Sequence, residues 1–204
     1  MDRRALERRL QRVSGFADPS AELEQYPTPA DIAAHLLHLA ATRGDLSRPV
    51  VDLGCGTGVL ALGAALAGAP RVVGVERDRE ALRTARANER ELAPGTEIEW
   101  VRGDARALPL NTTGWTVVMN PPFGAQQGNE GADRPFLDAA AEMAAVSYSI
   151  HNAGSRSFVE SFAAERGGTV TAAFAVDFDV ERQFDFHTSA RATIDAEAYR
   201  IEWG

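Results

Sequence analysis

Asn120-Pro121-Pro122-Phe123 follows the apolar run Trp115–Met119 and sets hydrogen-bond acceptors on a stiff backbone beside an aromatic ring. That combination suits the methylation of a planar exocyclic amine. Such an amine is a poor nucleophile, because its lone pair is delocalised into the attached ring or carbonyl. Two fixed acceptors for its N–H groups would draw the nitrogen toward tetrahedral geometry as it attacks. The Asn120 side-chain oxygen and a backbone carbonyl of Pro121-Pro122 can play those parts, and two prolines fix φ before any substrate arrives. Phe123 would stack on a flat substrate, as aromatic side chains do on unstacked bases. The same four residues also suit a strand-ending turn with a packed Phe, so the decision rests on what lies upstream.

Upstream, Val50-Val51-Asp52-Leu53-Gly54-Cys55-Gly56-Thr57-Gly58-Val59 precedes the Ala/Leu-rich stretch 60–67. An apolar strand, a glycine loop and a helix are expected. The spacing is G-x-G-x-G rather than the G-x-G-x-x-G of dinucleotide folds, and no Lys-Ser/Thr follows as in a P-loop. A second apolar strand, 71–75, ends in Glu76, about 20 residues past the loop, where an acid typically grips a ribose diol. A third, 98–101, leads to Gly103-Asp104-Ala105, and Asp104 could accept a hydrogen bond from an adenine amino group. Taken singly, Glu76 is a solvated strand-end acid and Asp104 a turn residue. Taken in order, loop, acid and acid resemble the class I methyltransferase pattern, which implies S-adenosylmethionine as cofactor.

The elements that must position these residues follow from periodicity and punctuation. Leu6, Leu10 and Val13 recur at helical spacing among arginines, giving an amphipathic first helix ended by Gly15. Thr28 is expected to cap the next helix, with Pro29 at its first position, Asp31 completing a capping-box spacing, and Ile32, Leu36 and Leu39 inward. Asp78 should cap a helix through about Leu92, with Ala81, Leu82 and Ala85 buried. The loop 124–131 is polar and glycine-rich, a candidate lid. Asp133-Arg134-Pro135 opens a further helix, 143–150 contains a fifth strand, Ser155 caps a helix to about Arg166, and 169–178 with 191–203 form a final antiparallel pair. Strands alternating with helices predict an α/β fold: a doubly wound, mostly parallel seven-stranded sheet, Rossmann-like, with helices on both faces and a helical N-terminal extension. Residues 1–204 are expected to form one domain, with 1–45 packed on it as that extension. The strands before Gly54 and Asn120 should then be neighbours.

Composition narrows the classes. The chain carries 21 basic residues, all of them arginine, against 29 acids. An acidic, lysine-free surface suits a salt-rich cytoplasm or a GC-rich genome. One cysteine, Cys55, excludes an internal disulfide and a cysteine-based zinc site, and its place in the glycine loop suggests packing. No His/Cys/Asp cluster has ligand spacing, so no metal is expected. His35 and His38 fall on a helix and read as structural; His151 and His187 read as core or rim groups. No apolar stretch is long enough to span a membrane and no signal-peptide core is present, so a cytoplasmic location is expected. Residues 1–12 hold five arginines against two acids, a net +3.

Three stretches together, Leu23-Glu24-Gln25-Tyr26-Pro27-Thr28, the glycine loop from Asp52 to Val59, and Asn120 to Gly124, make the chain resemble the methyltransferase-like-five family over nearly its whole length. Tyr148–His151 and Phe184–His187 add to the likeness. The resemblance implies an RNA adenine-N6 methyltransferase acting on one adenosine of small-subunit ribosomal RNA. It implies that Gln25 and Thr28 contact the methyl donor from the N-terminal side. Asp52, Gly54, Gly56, Thr57 and Val59 would line its amino-acid end, and Glu76 would hold its ribose. Asp104 with the Ala105 backbone would meet its adenine, and Asn120 to Phe123 would hold the target base. It further implies a heterodimer with a small zinc-binding activator protein, for which the strand 97–102 carrying Trp100 is the candidate edge. Glu76 stands where many relatives have Asp, and the lid lacks their lysines. Two competing readings are a protein glutamine methyltransferase, whose amide –NH₂ is similarly planar, and a non-catalytic RNA-binding subunit. The Glu24-Gln25-Tyr26-Pro27-Thr28 element argues against the first, and the presence of both donor and acceptor motifs against the second.

Overall fold

The computed structural model describes residues 1–20, 24–105, 107–108, 113–123, 131–181 and 191–204, with the side chains of 177–181 and 191–194 outside that description. Residues 124–130 of the candidate lid 124–131, Leu23 of the Leu23–Thr28 element, and Phe184–His187 therefore lie outside the described residues.

Six α-helices and seven strands are described. The apolar runs give β1 (Val50–Leu53), β2 (Val72–Glu76) and β4 (Trp115–Met119), each buried along its whole length as expected for strands covered on both faces. With β3 (Ile98–Arg102), β5 (Ala144–Asn152), β6 (Thr169–Glu181) and β7 (Arg191–Glu202), they form one sheet in the order β3-β2-β1-β4-β5-β7-β6. Strands β1 to β5 run parallel, and β7 lies antiparallel between β5 and β6. Strand order reverses between β1 and β4, so the expected neighbours are in register, with Leu53 opposite Met119. Gly54 and Asn120 thus leave the sheet side by side, at the switch point where ligands bind in open α/β sheets.

Two apolar layers flank the sheet. On one side Leu6 and Leu10 of α1 (Arg3–Leu10), Leu36 and Leu37 of α2 (Ala30–Thr42) and Leu62 of α3 (Val59–Leu66) share a core. On the other, Leu137 and Ala140 of α5 (Arg134–Met143) meet Val159 and Phe162 of α6 (Arg156–Glu165). Helix α4 (Arg79–Leu92) lies along β2 and β3, capped as expected by Asp78, whose Oδ1 accepts from the Glu80 N–H at 2.9 Å. At the foot of the sheet, buried Asp45 accepts from Tyr148 Oη at 2.6 Å and Arg200 Nε at 2.8 Å, while its carbonyl accepts from Thr116 Oγ1 at 2.7 Å. These bonds tie the α2–β1 connection to β4, β5 and β7.

Local expectations needed four corrections. Helix α1 ends at Leu10 rather than at Gly15, because Gln11 already takes the C-cap, although Val13 still packs on the core. Thr28 does not cap α2: Pro29 occupies the N-cap and no side chain caps the helix. The buried residues of α2 are Ile32, Ala33, Ala34, Leu36, Leu37 and Ala40, with Leu39 only half-buried. Ser155 holds the N-cap of α6 without a side-chain hydrogen bond. Among the described residues no helix is long and apolar enough to cross a membrane.

Candidate active site

The glycine loop turns the chain from β1 into α3 and is stitched to β2 by Gly54 and Cys55, whose N–H groups both donate to the Val75 carbonyl at 2.9 and 3.0 Å. Gly56 has φ of 52°, and a Cβ there would lie 2.8 Å from the Phe16 ring, so both conformation and space require glycine. Beside the loop opens a cleft. Its floor is Asp52, Gly54 to Thr57, Val59 and Leu60; its far wall is Asn120; its cover is Phe16 with Tyr26, Pro27 and Thr28.

Three cleft residues carry a buried polar atom with no partner among the described residues: Asp52 Oδ1, Thr57 Oγ1 and Asn120 Oδ1. Buried polar groups are normally paired, so three unpaired atoms around one cleft fit a polar ligand. Asn120 is held by its other end, its Nδ2 donating to Thr28 Oγ1 at 3.1 Å. The hydroxyl that was expected to cap α2 thus orients Asn120, 92 residues away. At the end of the tetrapeptide, the Phe123 carbonyl accepts from Asn152 Nδ2 at 2.9 Å. Phe123 itself is half-buried against the core, beside Pro121, which is buried, and Pro122, which is not.

The acids differ in their situations. Asp52 Oδ2 accepts from the Ala61 N–H in the first turn of α3 at 2.8 Å, and complete burial pushes its pKa up to about 8. Glu76 accepts from the Gly56 N–H and from the Asp78 N–H, each at 2.9 Å. Burial raises its pKa above the usual carboxylate range, and backbone amides oppose that rise. Asp104 and Ala105 follow β3, and the Gly103 N–H donates to the Glu76 carbonyl at 3.0 Å, so loop, Glu76 and Asp104 stand at three adjacent strand ends. Gln25 is buried, but its Oε1 accepts from the Ser20 N–H and its Nε2 donates to Asp78 Oδ2, both at 2.8 Å. Its polar ends therefore fasten the N-terminal segment to the β2–α4 turn and do not open on the cleft described. Cys55 is buried, and burial lifts its thiol well above its ordinary range, in keeping with a packing role.

Sequence reasoning missed Phe16, Asn88 and Asn152. Asn88 Nδ2 donates to the carbonyls of Ser14 and Thr57, each at 3.0 Å, and its Oδ1 accepts from the Ser14 N–H at 3.0 Å. It ties the N-terminal segment and the glycine loop to α4. Its place on the buried stripe of α4, in step with Ala81 and Ala85, was the available signal. Trp100 is on the edge strand β3, as expected, yet its ring packs inward: Nε1 donates to Glu89 at 2.7 Å, and a Cβ on Gly58 would lie 2.7 Å from it. His151 is buried with Nδ1 3.0 Å from Asp133 Oδ2, tying the end of β5 to the start of α5. His35 stacks on Phe174 at 4.8 Å between ring centroids, and His187 lies outside the described residues.

The chain was compared with known proteins. Residues 28–169 match the methyltransferase small domain family. The rRNA N(6)-adenosine-methyltransferase Mettl5 of Drosophila melanogaster is 37% identical over 98% of this chain and 96% of its own. The rRNA N(6)-adenosine-methyltransferase METTL5 of Danio rerio is 34% identical over 98% and 99%. The crystal structure of a proposed RNA methyltransferase from Pyrococcus horikoshii superposes with a TM-score of 0.89 at 39% identity, covering 100% of this chain and 98% of that one. A glycine cradle, three unpaired polar atoms and a clamped asparagine thus sit in a chain that belongs to the methyltransferase small domain family, and the protein is an S-adenosylmethionine-dependent methyltransferase.

Proposed function

We propose that the protein methylates N6 of an adenosine in small-subunit ribosomal RNA. The observation that carries this reading is Asn120: its amide nitrogen is spent on Thr28, while its carbonyl oxygen is buried in the cleft wall without a partner among the described residues. An acceptor held ready in that way fits an incoming N–H. The full-length likeness to two rRNA N(6)-adenosine-methyltransferases supports adenine in RNA as the source of that N–H.

When bound, S-adenosylmethionine supplies an electrophilic methyl group on a sulfonium. Gly54, Gly56, Thr57 and Val59 would line its amino-acid end, with Asp52 Oδ1 and Thr57 Oγ1 as the polar atoms left for it to satisfy. Glu76 would reach its ribose, and Asp104 with the Ala105 backbone its adenine. Thr28 serves through Asn120, and Gln25 by holding the cover closed on Asp78. The target base leaves its stack, as base-modifying enzymes require, and lies against Phe123. Asn120 Oδ1 and a backbone carbonyl of Pro121-Pro122 take its two N–H groups, so the nitrogen lone pair turns toward the methyl. Once that nitrogen had taken the methyl, it would be cationic and would lose one proton to solvent. No strong base is needed, because that nitrogen is acidic once alkylated.

The open edge of β3 is the proposed seat of a small zinc-binding activator, joined by strand addition. Trp100, packed inward, is not its anchor. Arg102→Pro, which removes an N–H on the open edge, since the Gly103 N–H beside it faces β2, should abolish a complex on co-expression; an intact complex would put the partner elsewhere.

Mapping of the product tests the substrate. Small-subunit RNA from cells lacking the gene, incubated with enzyme and donor, should gain one N6-methyladenosine. Methylation confined to large-subunit RNA would reject the small-subunit assignment.

A further inference from the structure

Helix α1 concentrates positive charge in an acidic chain. Residues 1–12 are net +3, so with −8 for the whole chain the other 192 residues carry −11. The helix buries Leu6 and Leu10 and exposes Arg3, Arg4, Arg8 and Arg9. Arg4, Arg8 and, in the turn that follows, Arg12 recur four residues apart and so share one ridge, with exposed Arg9 beside Arg8 widening it. Among the described residues no carboxylate pairs with Arg4, Arg8 or Arg9, and Arg12 meets Glu91 at 3.4 Å with both side chains exposed. Some arginines elsewhere are paired, Arg71, Arg83 and Arg156 with Glu99, Glu80 and Glu160 at 2.6, 2.7 and 2.8 Å, while Arg43, Arg77, Arg79 and Arg90, which are scattered over other elements, meet no described carboxylate.

Helix stability accounts for only part of the ridge: Arg8 and Arg9 lie in the last turn, where cations suit the macrodipole. Arg3 and Arg4 occupy the first turn, where the macrodipole disfavours cations, and no acid shares that turn. Like charges four residues apart also repel. The ridge has a direction as well. Beyond Leu10 the chain passes Ser14, fastened both ways to Asn88, and reaches Phe16 on the cover of the cleft. Arg12 thus stands four residues along the chain from Phe16 on the cleft cover.

We propose that this arginine ridge is a phosphate track that grips the RNA backbone leading into the cleft. The proposal rests on RNA being the substrate. Guanidinium groups suit it, since each can donate two parallel hydrogen bonds to a phosphate, and none of Arg4, Arg8 and Arg9 is spent on a described carboxylate. A track of this kind holds the strand without reading sequence, leaving selection of the base to the cleft.

The test uses the full chain and unmodified small-subunit ribosomal RNA, with affinity measured as a function of salt. Each phosphate that the protein no longer neutralises lowers the slope of log affinity against log salt by about 0.7 for a single strand. Arg4→Gln, Arg8→Gln and Arg9→Gln together should lower it by about 2 and raise the KM for RNA at least about ten-fold, with donor affinity unchanged. Lysines at the three positions should restore most of the slope. Glutamines at the paired Arg71, Arg83 and Arg156 remove the same net charge and should change the slope by less than half as much. The proposal is overturned if wild type methylates RNA and the α1 variant keeps its slope and KM, or if both triple variants lose slope equally. If wild type neither binds nor methylates RNA, the substrate reading itself fails, whatever the variants do.

Discussion

Replacing Asn120 by Ala should separate stability from catalysis. The substitution removes one neutral hydrogen bond, Asn120 Nδ2 to Thr28 Oγ1 at 3.1 Å, worth about 1 kcal/mol net. It also removes a buried carbonyl oxygen that has no partner among the described residues, which relieves a penalty of about 1–3 kcal/mol. The two nearly offset, so the variant should unfold within about 1 kcal/mol of wild type, or slightly later. Turnover is another matter. Loss of one preorganised partner at a reacting centre costs about 100- to 1,000-fold in kcat by analogy with oxyanion-hole donors. Donor affinity should stay within about two-fold, because the glycine loop and Glu76 are untouched. Thermal unfolding, calorimetric titration of S-adenosylmethionine and single-turnover methylation of RNA measure the three quantities separately. A fall in donor affinity as large as the fall in turnover would refute the assignment of Asn120 to the acceptor.

Thr28→Val should lower kcat about ten-fold by freeing the Asn120 side chain, and Thr28→Ser should restore it; equal loss in both would mean that the methyl of Thr28 matters and its hydroxyl does not. Glu76→Gln sets an amide N–H against the Gly56 or Asp78 N–H, so donor binding and unfolding free energy should each fall by about 1–3 kcal/mol, read by titration and calorimetry. Asp52 is raised from 3.8 to about 8 on folding, so its protonated form is favoured in the native state. Its contribution to stability is full below pH 3.8 and is lost as pH rises through about 8. Asp52→Asn should flatten that part of the stability–pH curve, measured by chemical denaturation. Asn152→Ala frees the Phe123 carbonyl and should raise the KM for RNA with donor affinity unchanged.

Where short-range signals sufficed, the sequence was readable. The run Val50–Leu53 followed by spaced glycines could only be a strand and a tight turn, and Glu76 lies 20 residues beyond Gly56 because one helix and one strand fit between. Asp78 capped α4 because its Oδ1 meets the Glu80 N–H two residues on, a contact set by local sequence alone. Thr28 was misassigned because capping is local, whereas its partner Asn120 arrives through the pairing of β4 with β1. Phe16 and Asn88 were invisible for the same reason, since they touch segments far away in the chain. Trp100 sits on the edge strand, yet the side of the strand it takes is set by the small residues Gly58 and Gly74 beneath it, which strand alternation alone does not reveal.

The most direct test of the central claim follows the methyl group. The protein would be incubated with methyl-labelled S-adenosylmethionine and small-subunit ribosomal RNA from cells lacking the gene, in the presence of total cell protein. The RNA would be digested to nucleosides and the protein to amino acids for mass spectrometry. Label in N6-methyladenosine, lost with Asn120→Ala, is the predicted result. Label in N5-methylglutamine, or in any other nucleoside, would contradict the account.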